Sequence, residues 1–420
     1  MKAPQRVLVV GGGAAGFFGA IAAAEREAEV LLIEKGSEFL SKVRISGGGR
    51  CNVTHSCFEP RELSKRYPRG ERALIGAFSR FQPTDTLAWF RDRGVEIKRE
   101  ADGRMFPVTN SSETIIECLM QSARKAGVRT QLRCGLERLI RVEGNGSGEA
   151  RWRASLSDGS EWTGDAVLIA TGGCRSGNMR ALLAGLGHGM DEPVPSLFSF
   201  HLKDEWSREL AGISLQDAEV AVPSLRLTER GPALLTHQGL SGPAILRLSA
   251  WGARDLARVG YRFSLRVRWV AGLTEEAVMR GFKEQRERSP GKSVASTALF
   301  GVPSRLWARL CGIAGIDDGV RWAILRREEA VELCGMLTGM EFEVVGKSLN
   351  KEEFVTCGGV SVKDVDFRTM ESRCCSGLYF AGEVLDVDGI TGGFNFQAAW
   401  TTSWLAAQAM TSGAGEVRRL

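Results

Sequence analysis

An α/β fold is predicted, built on a parallel sheet whose chain is interrupted by a second, mostly β region. Three observations carry it. The sequence opens on an apolar run, Arg6 to Val10, that passes through Gly11-Gly12-Gly13-Ala14-Ala15-Gly16 into a helix, and a second β-like run, Val30 to Ile33, ends in Glu34. Buried-strand patterns recur at Ala166 to Ile169 and at Gly377 to Ala381, so the sheet draws on both ends of the 420-residue chain. Between them, from about Pro195, the pattern turns to strands of alternating polarity.

Gly11, Gly13 and Gly16 have the G-x-G-x-x-G spacing: the first turns the chain, the second lets a pyrophosphate approach the backbone, and the third lets helix and strand pack closely. The helix N-terminus then offers unpaired N–H groups and the positive end of its dipole to an anion. Glu34 stands where an acidic residue meets a ribose hydroxyl. A dinucleotide ligand follows from the set, not from the glycines alone.

The bulk properties narrow the function classes. The length allows about two or three domains. With 55 basic and 50 acidic residues the net charge is +5, too small and dispersed to argue for nucleic acid or a membrane surface. The apolar run Ala14 to Ala24 is shorter than the roughly 20 residues a membrane span needs. No basic-then-apolar leader with a cleavage site precedes it, so a cytoplasmic protein is expected. Ten cysteines lie at irregular spacings with no C-x-x-C pair, which reads as reduced thiols; adjacent Cys374 and Cys375 read as a turn. Four scattered histidines suggest no metal site.

Along the chain, Phe39 to His55 shows neither helix nor strand period. Its centre, Gly47-Gly48-Gly49 between Arg44 and Arg50, describes backbone that comes very close to something anionic or flat, with a flexible linker as the alternative. Thr84 to Arg91 and Glu113 to Ala123 read as helices, Val95 to Lys98 as a strand, and Asp102 to Pro107 as a turn leading into extended chain. A β-meander follows through Trp162, punctuated by a loop at Gly144 to Gly148. Ala170-Thr171-Gly172-Gly173 gives small residues beside a bound nucleotide.

In the second region Glu219 to Val222 and Phe263 to Val270 are strand-like, and Leu235 to Pro243 forms a loop in which His237 and Ser241 could face a substrate. Thr274 to Gln285, Pro303 to Cys311 and Arg326 to Leu337 read as three helices inserted in that region. The chain returns to the first domain near Phe354. Gly392-Gly393 then opens a strongly apolar helix, a second glycine-rich helix start, which suggests a ligand longer than one nucleotide.

The segments VVGGGAAG, KVRISGGGRCNVTH, GRMFPVTN, LIATGG, LTHQGLSGP and FAGEVLDVDGITGGFNFQAAW together resemble the two-dinucleotide-type FAD flavoproteins. Within them the chain is similar to the bacterial family that includes aminoacetone oxidase and a proposed bile-acid 3-oxo dehydrogenase. The resemblance covers almost the whole chain. It implies a Rossmann-like FAD-binding domain over residues 1–194 and 351–420, a β-barrel domain over 195–271 and 340–350, and a helical insert over 272–339. Carried over, Gly11, Gly13, Ala14, Ala15 and Gly16 meet the pyrophosphate and Glu34 the adenosine ribose, with Lys35 a further cofactor-binding candidate. Lys42, Arg44, Gly48, Gly49, Arg50, Cys51 and Asn52 run along pyrophosphate and flavin, and Ala170, Thr171 and Gly172 flank the adenosine end. Gly382 and Glu383 meet the ribityl chain, with Glu383 where most such proteins have Asp. Gly392, Gly393, Phe394 and Asn395 meet the flavin's pyrimidine edge.

The expected function is an FAD-dependent oxidoreductase working by hydride transfer at flavin N5 on a small organic molecule, an amine, ketone or enone, with NAD(P)H as a candidate electron donor. His237 is the candidate acid–base group because its reference pKa is near neutrality, and Arg104 and Ser241 are candidate substrate contacts on resemblance. The rivals are a purely NAD-dependent dehydrogenase, a flavin-dependent tRNA-modifying enzyme, which needs a basic face and a nucleophilic cysteine, and a non-catalytic flavin-binding redox sensor.

Overall fold

The computed structural model describes residues 4–142, 151–174, 176–348 and 355–412, and the chain divides into two units, residues 1–195 with 351–420 and residues 196–350. The loop expected at Gly144 to Gly148 and the return point at Phe354 lie outside the described residues.

The first unit is built on a seven-stranded sheet in the order Val365–Asp366, Glu371–Ser372, Leu378–Phe380, Ala166–Ile169, Arg6–Val10, Glu29–Ile33, Arg129–Gln131. The last five run parallel, and the two short strands at the other edge are antiparallel. Val7, Leu8 and Val9 are fully buried, as expected of a strand covered on both faces. Helix Ala14–Ala24 is built from small residues, two phenylalanines and Ile21, and helix Phe394–Thr411 is buried nearly all round. They pack on each other through small side chains: a Cβ added at Gly19 would lie 3.2 Å from the Ser403 Cβ. Phe18 fills the rest of the contact, its ring 5.2 Å from Trp400 and 4.6 Å from Trp89.

The β-meander is a separate three-stranded antiparallel sheet, Leu136–Val142, Arg151–Leu156 and Glu161–Gly164. A second small sheet joins Thr54–His55, Arg104–Pro107 and Ile97–Arg99. One expectation needs correction. The stretch expected to lack a helix opens with a short helical turn, residues 41–45 of the segment Ser41–Gly49, before the backbone leaves helical angles at Ser46, Gly47 and Gly48. The sequence hides it because its usable apolar period is barely one turn long, with Val43 its only buried residue.

The second unit is a closed antiparallel barrel of six strands, Ser199–Leu202, Gly239–Ser241, Leu227–Thr236, Ser214–Val222, Phe263–Arg268 and Met340–Ser348, the last pairing back on the first. Phe200, Leu215, Val220, Leu235, Leu265 and Val267 are among its buried residues, joined by Ile245 and Leu248 of helix Pro243–Trp251. Helices Glu275–Arg288, Ser304–Ile313 and Arg327–Gly339 lie between the last two strands in sequence and pack around Trp307, Trp322 and Phe282.

Candidate functional site

Four glycine-rich segments converge in the first unit. Gly11 turns sharply at φ +113°, and a Cβ there would lie 2.9 Å from the Thr171 Cα and overlap the Ala170 carbonyl. Gly16 packs so closely on Gly11 that a Cβ would overlap its carbonyl oxygen. Gly13 differs: it caps helix Ala14–Ala24 without a side-chain hydrogen bond, and an added Cβ would meet no atom within 4 Å. The bare backbone at that helix start therefore faces open space, as an anion site requires. Glu34 stands beside it, accepting the N–H of Gly12 at 2.8 Å and of Gly36 at 2.7 Å, while Lys35 is exposed.

Lys42 reaches across to Glu383, Nζ to Oε2 at 2.7 Å, and the other Glu383 oxygen accepts the Thr356 N–H at 2.7 Å. A Cβ on Gly172 would lie 3.7 Å from Glu383 Oε2 and 3.9 Å from Lys42 Nζ, and one on Gly382 would lie 3.0 Å from the Ala15 Cβ. The first helix start, the small-residue turn and the Glu383 turn are thus one surface.

The Gly47-Gly48-Gly49 run has three successive positive φ angles, and Gly48 and Gly49, like Gly13, would set a Cβ in open space. This is a presented loop, not a spacer, because its flanks are fixed. Arg44 pairs with Glu113, and its carbonyl accepts the Ser112 hydroxyl at 2.7 Å. Arg50 stacks 3.9 Å over Phe106 and bonds Glu100 at 2.7 Å. Cys51 is fully buried, and burial pushes its thiol up to about 12, so it is not a thiolate nucleophile. Asn52 Oδ1 accepts the Met105 N–H at 3.3 Å and lies 2.8 Å from where a Gly393 Cβ would be.

The second helix start is held from several sides. Gly392 and Gly393 have φ +132° and +89°, and Gly393 caps helix Phe394–Thr411 without a side-chain bond. Asn395 clamps the preceding turn, accepting the Gly389 N–H at 2.8 Å and donating to its carbonyl at 2.9 Å. Deeper in the helix, buried Gln397 accepts the hydroxyls of Thr54 and Thr86 at 2.6 and 3.0 Å, and the Trp400 N–H bonds the Val53 carbonyl at 2.9 Å.

The structure gathers the predicted residues unevenly. Those of the four glycine-rich segments meet as described. Arg104 lies in the same unit, on the strand beside Thr54–His55, with Asp102 at 2.7 Å and Glu100 at 3.3 Å neutralising its charge. His237 and Ser241 belong to the barrel unit. His237 is exposed in the tight turn between two barrel strands, and Ser241 shares a 2.6 Å hydroxyl contact with Ser199.

Other residues emerge only in three dimensions. His55 stacks on Phe394 with ring centroids 4.7 Å apart, and its Nε2–H donates to the Asp102 carbonyl at 3.2 Å. Its Nδ1 is buried without a partner, and burial, helped by the charge of Arg66, holds its pKa below the usual value. Tyr67, Arg69 and Asp388 brace the second helix start. Nothing in their sequence spacing announces this, since Arg69 and Asp388 lie 319 positions apart. Among the described residues no group of three or more His, Cys, Asp or Glu is placed to hold a metal ion, and no helix is long and apolar enough to cross a membrane.

By family the chain is an FAD-dependent oxidoreductase of the Rossmann type. Residues 5–409 match the HI0933-like protein Rossmann domain, and the chain belongs to that family. It is 30% identical over 414 residues to a ribosomal RNA dihydrouridine synthase of Escherichia coli, covering 96% of each chain. It is 28% identical over 421 residues to a 3-dehydro-bile acid delta(4,6)-reductase of Clostridium scindens, covering 96% of this chain and 98% of that one. In fold it is similar to 3-ketosteroid delta1-dehydrogenase from Sterolibacterium denitrificans, with a TM-score of 0.52 at 12% identity, over 97% of this chain and 99% of that one.

Proposed function

We propose that the protein is a reductase of carbon–carbon double bonds conjugated to a carbonyl. One observation carries this reading: two relatives matched almost end to end are named a ribosomal RNA dihydrouridine synthase and a 3-dehydro-bile acid delta(4,6)-reductase, and both names fit the reduction of a double bond conjugated to a carbonyl. Saturation of such a bond adds a hydride at the β-carbon and a proton at the α-carbon; bound FAD, once reduced by a donor such as NAD(P)H, would supply the hydride.

The residues present fit FAD, because bare backbone with room beside it occurs at Gly13, Gly48 and Gly49, as an extended anionic and planar ligand requires. Gly13, Ala14 and Ala15 would hold the pyrophosphate, Glu34 the adenosine ribose, Glu383 with Lys42 the ribityl region, and Gly392 to Asn395 the ring's pyrimidine edge. Bound FAD supplies hydride transfer at N5. The chain's part is orientation and electrostatics: the N–H groups at the Gly393 helix start favour negative charge at the ring edge. Arg104, engaged by two carboxylates, can orient a carbonyl oxygen but supplies no proton. The irregular spacing of the ten cysteines, with no C-x-x-C pair, supports a reducing compartment, the cytoplasm.

The test is to reduce the purified flavoprotein anaerobically and mix it with an α,β-unsaturated ketone, its saturated counterpart, and a uridine-containing ribosomal RNA fragment. Reoxidation by the enone or the uridine, but not by the saturated ketone, supports the reading, and the better acceptor assigns the substrate. Bleaching of the oxidised flavin by an amine, with no enone or uridine turnover, would replace it with an amine oxidase.

A further inference from the structure

The segment Arg66 to Gly70 runs beside residues 387–390, just ahead of the second helix start. Arg69 and Asp388 form an antiparallel backbone bridge, and their side chains form a forked ion pair, Nε to Oδ1 at 2.5 Å with Nη2 on Oδ2. The pair is nearly sealed from water, with side-chain exposures of 10% and 0%. Its neighbours repeat the contact. The Ile390 N–H bonds the Arg66 carbonyl at 2.9 Å, and the Tyr67 hydroxyl donates to the Phe394 carbonyl at 2.6 Å. A Cβ on Gly70 would lie 2.7 Å from Val387, so the two segments touch backbone to side chain. The turn bearing Gly392 and Gly393 is thus suspended between this brace and the Asn395 clamp.

A buried ion pair is a poor way to gain stability, because desolvation consumes most of its attraction and apolar residues of similar volume serve as well. What an apolar pair cannot reproduce is direction. Two parallel N–H···O bonds between planar groups fix one side chain against the other in distance and angle. Such definition matters most where backbone groups must meet a rigid ring within a few tenths of an ångström.

We infer that Arg69 and Asp388 are positioning residues that set the Gly389–Asn395 turn for the flavin ring edge, without touching the flavin themselves. The inference rests on the reading that FAD lies with its ring at this turn and its adenosine diphosphate half at Gly13 and Glu34. That division supplies the test, because ADP probes one end and FAD both.

Apoprotein of the wild type, the R69L/D388L double variant and R69K is titrated with FAD and with ADP, with thermal unfolding of each apoprotein recorded. The double variant removes both charges of the pair together. R69K keeps the charge and loses the fork, and serves if the double variant does not fold. The expected result is FAD affinity lowered by about tenfold or more, as for one lost hydrogen bond to the ring, with ADP affinity unchanged and the visible flavin band shifted. Unchanged FAD affinity overturns the inference. So does an equal loss for FAD and ADP, which would make the pair merely structural. A wild type that binds neither ligand would instead overturn the underlying assignment of the cofactor site.

Discussion

An added Cβ would meet no atom within 4 Å at Gly13, whereas at Gly393 it would lie 2.5 Å from the Thr54 carbonyl oxygen. Both glycines cap a long buried helix without a side-chain bond, and in sequence the two starts look alike. At the first start the middle glycine keeps space for a ligand, and its φ of −90° is one any residue adopts. At the second, φ is +89° and the surrounding chain is packed, so glycine is demanded by the protein's own backbone. The first start is a cradle that exists without the ligand's help. The second is a turn held in place by Asn395, Tyr67 and the Arg69–Asp388 pair.

The largest effect is expected at Gly16, the close-packing glycine of the first start. G16A drives a methyl into the Gly11 carbonyl, backbone against backbone, and should cost more than about 3 kcal/mol. Urea unfolding of the apoprotein checks this. A variant of wild-type stability would mean that helix and strand separate more readily than their contact suggests.

G393A ranks next. A left-handed conformation costs a residue with a Cβ about 1–2 kcal/mol, and the Thr54 contact adds to it, so apoprotein stability should fall by about 2–3 kcal/mol. FAD binding should weaken as well.

G13A is expected to leave apoprotein stability within about 0.5 kcal/mol of wild type, because the methyl enters open space in an allowed conformation. FAD and ADP should both bind about tenfold or more weakly, because the methyl occupies ground the pyrophosphate needs. Equal damage to apoprotein stability from G13A and G393A would erase the distinction between the two starts.

This contrast also shows what the sequence could say. The strand, turn and helix of the first start were legible because the apolar run and the glycine spacing are local in sequence. The barrel was legible only in part as strands: Glu219 to Val222 and the alternating Phe263 to Val270 fall on Ser214–Val222 and Phe263–Arg268, whereas the start of Ser214–Val222 loses its alternation at a register shift between Leu215 and Ala218. Helix Ser41–Gly49 was not, because one turn of helix followed by glycines has too little period to read. Nor were His55, Tyr67, Arg69 and Asp388, whose meaning comes from partners far away in sequence. Arg50 shows the intermediate case: it was legible as a cation beside the glycine run, while its stacking on Phe106 and its bond to Glu100 needed the fold.

The smallest effect separates the two starts by acidity. His55 leans on Phe394 at the second start, with its Nε2–H committed to the Asp102 carbonyl and its Nδ1 buried. Burial is the largest cause holding its pKa below 6.5, so the unfolded chain takes up a proton more readily than the native one. Stability from the neutral ring is therefore complete above about pH 6.5 and is lost as the pH falls below it, with a slope of at most about 1.4 kcal/mol per pH unit for one histidine. His188 contributes in the same direction, since burial lowers its pKa against the opposing pull of the Leu183 carbonyl and of Asp364. H55F keeps the ring stack and removes the titration, so at pH 8 it should differ from wild type by no more than about 1 kcal/mol, the worth of the Asp102 bond. Between pH 6.5 and 5.5 its urea midpoint should fall less steeply than that of wild type, and an H55F/H188F pair should fall less steeply still. Parallel midpoint curves for H55F and wild type would show that the second start gives way in acid for reasons other than His55.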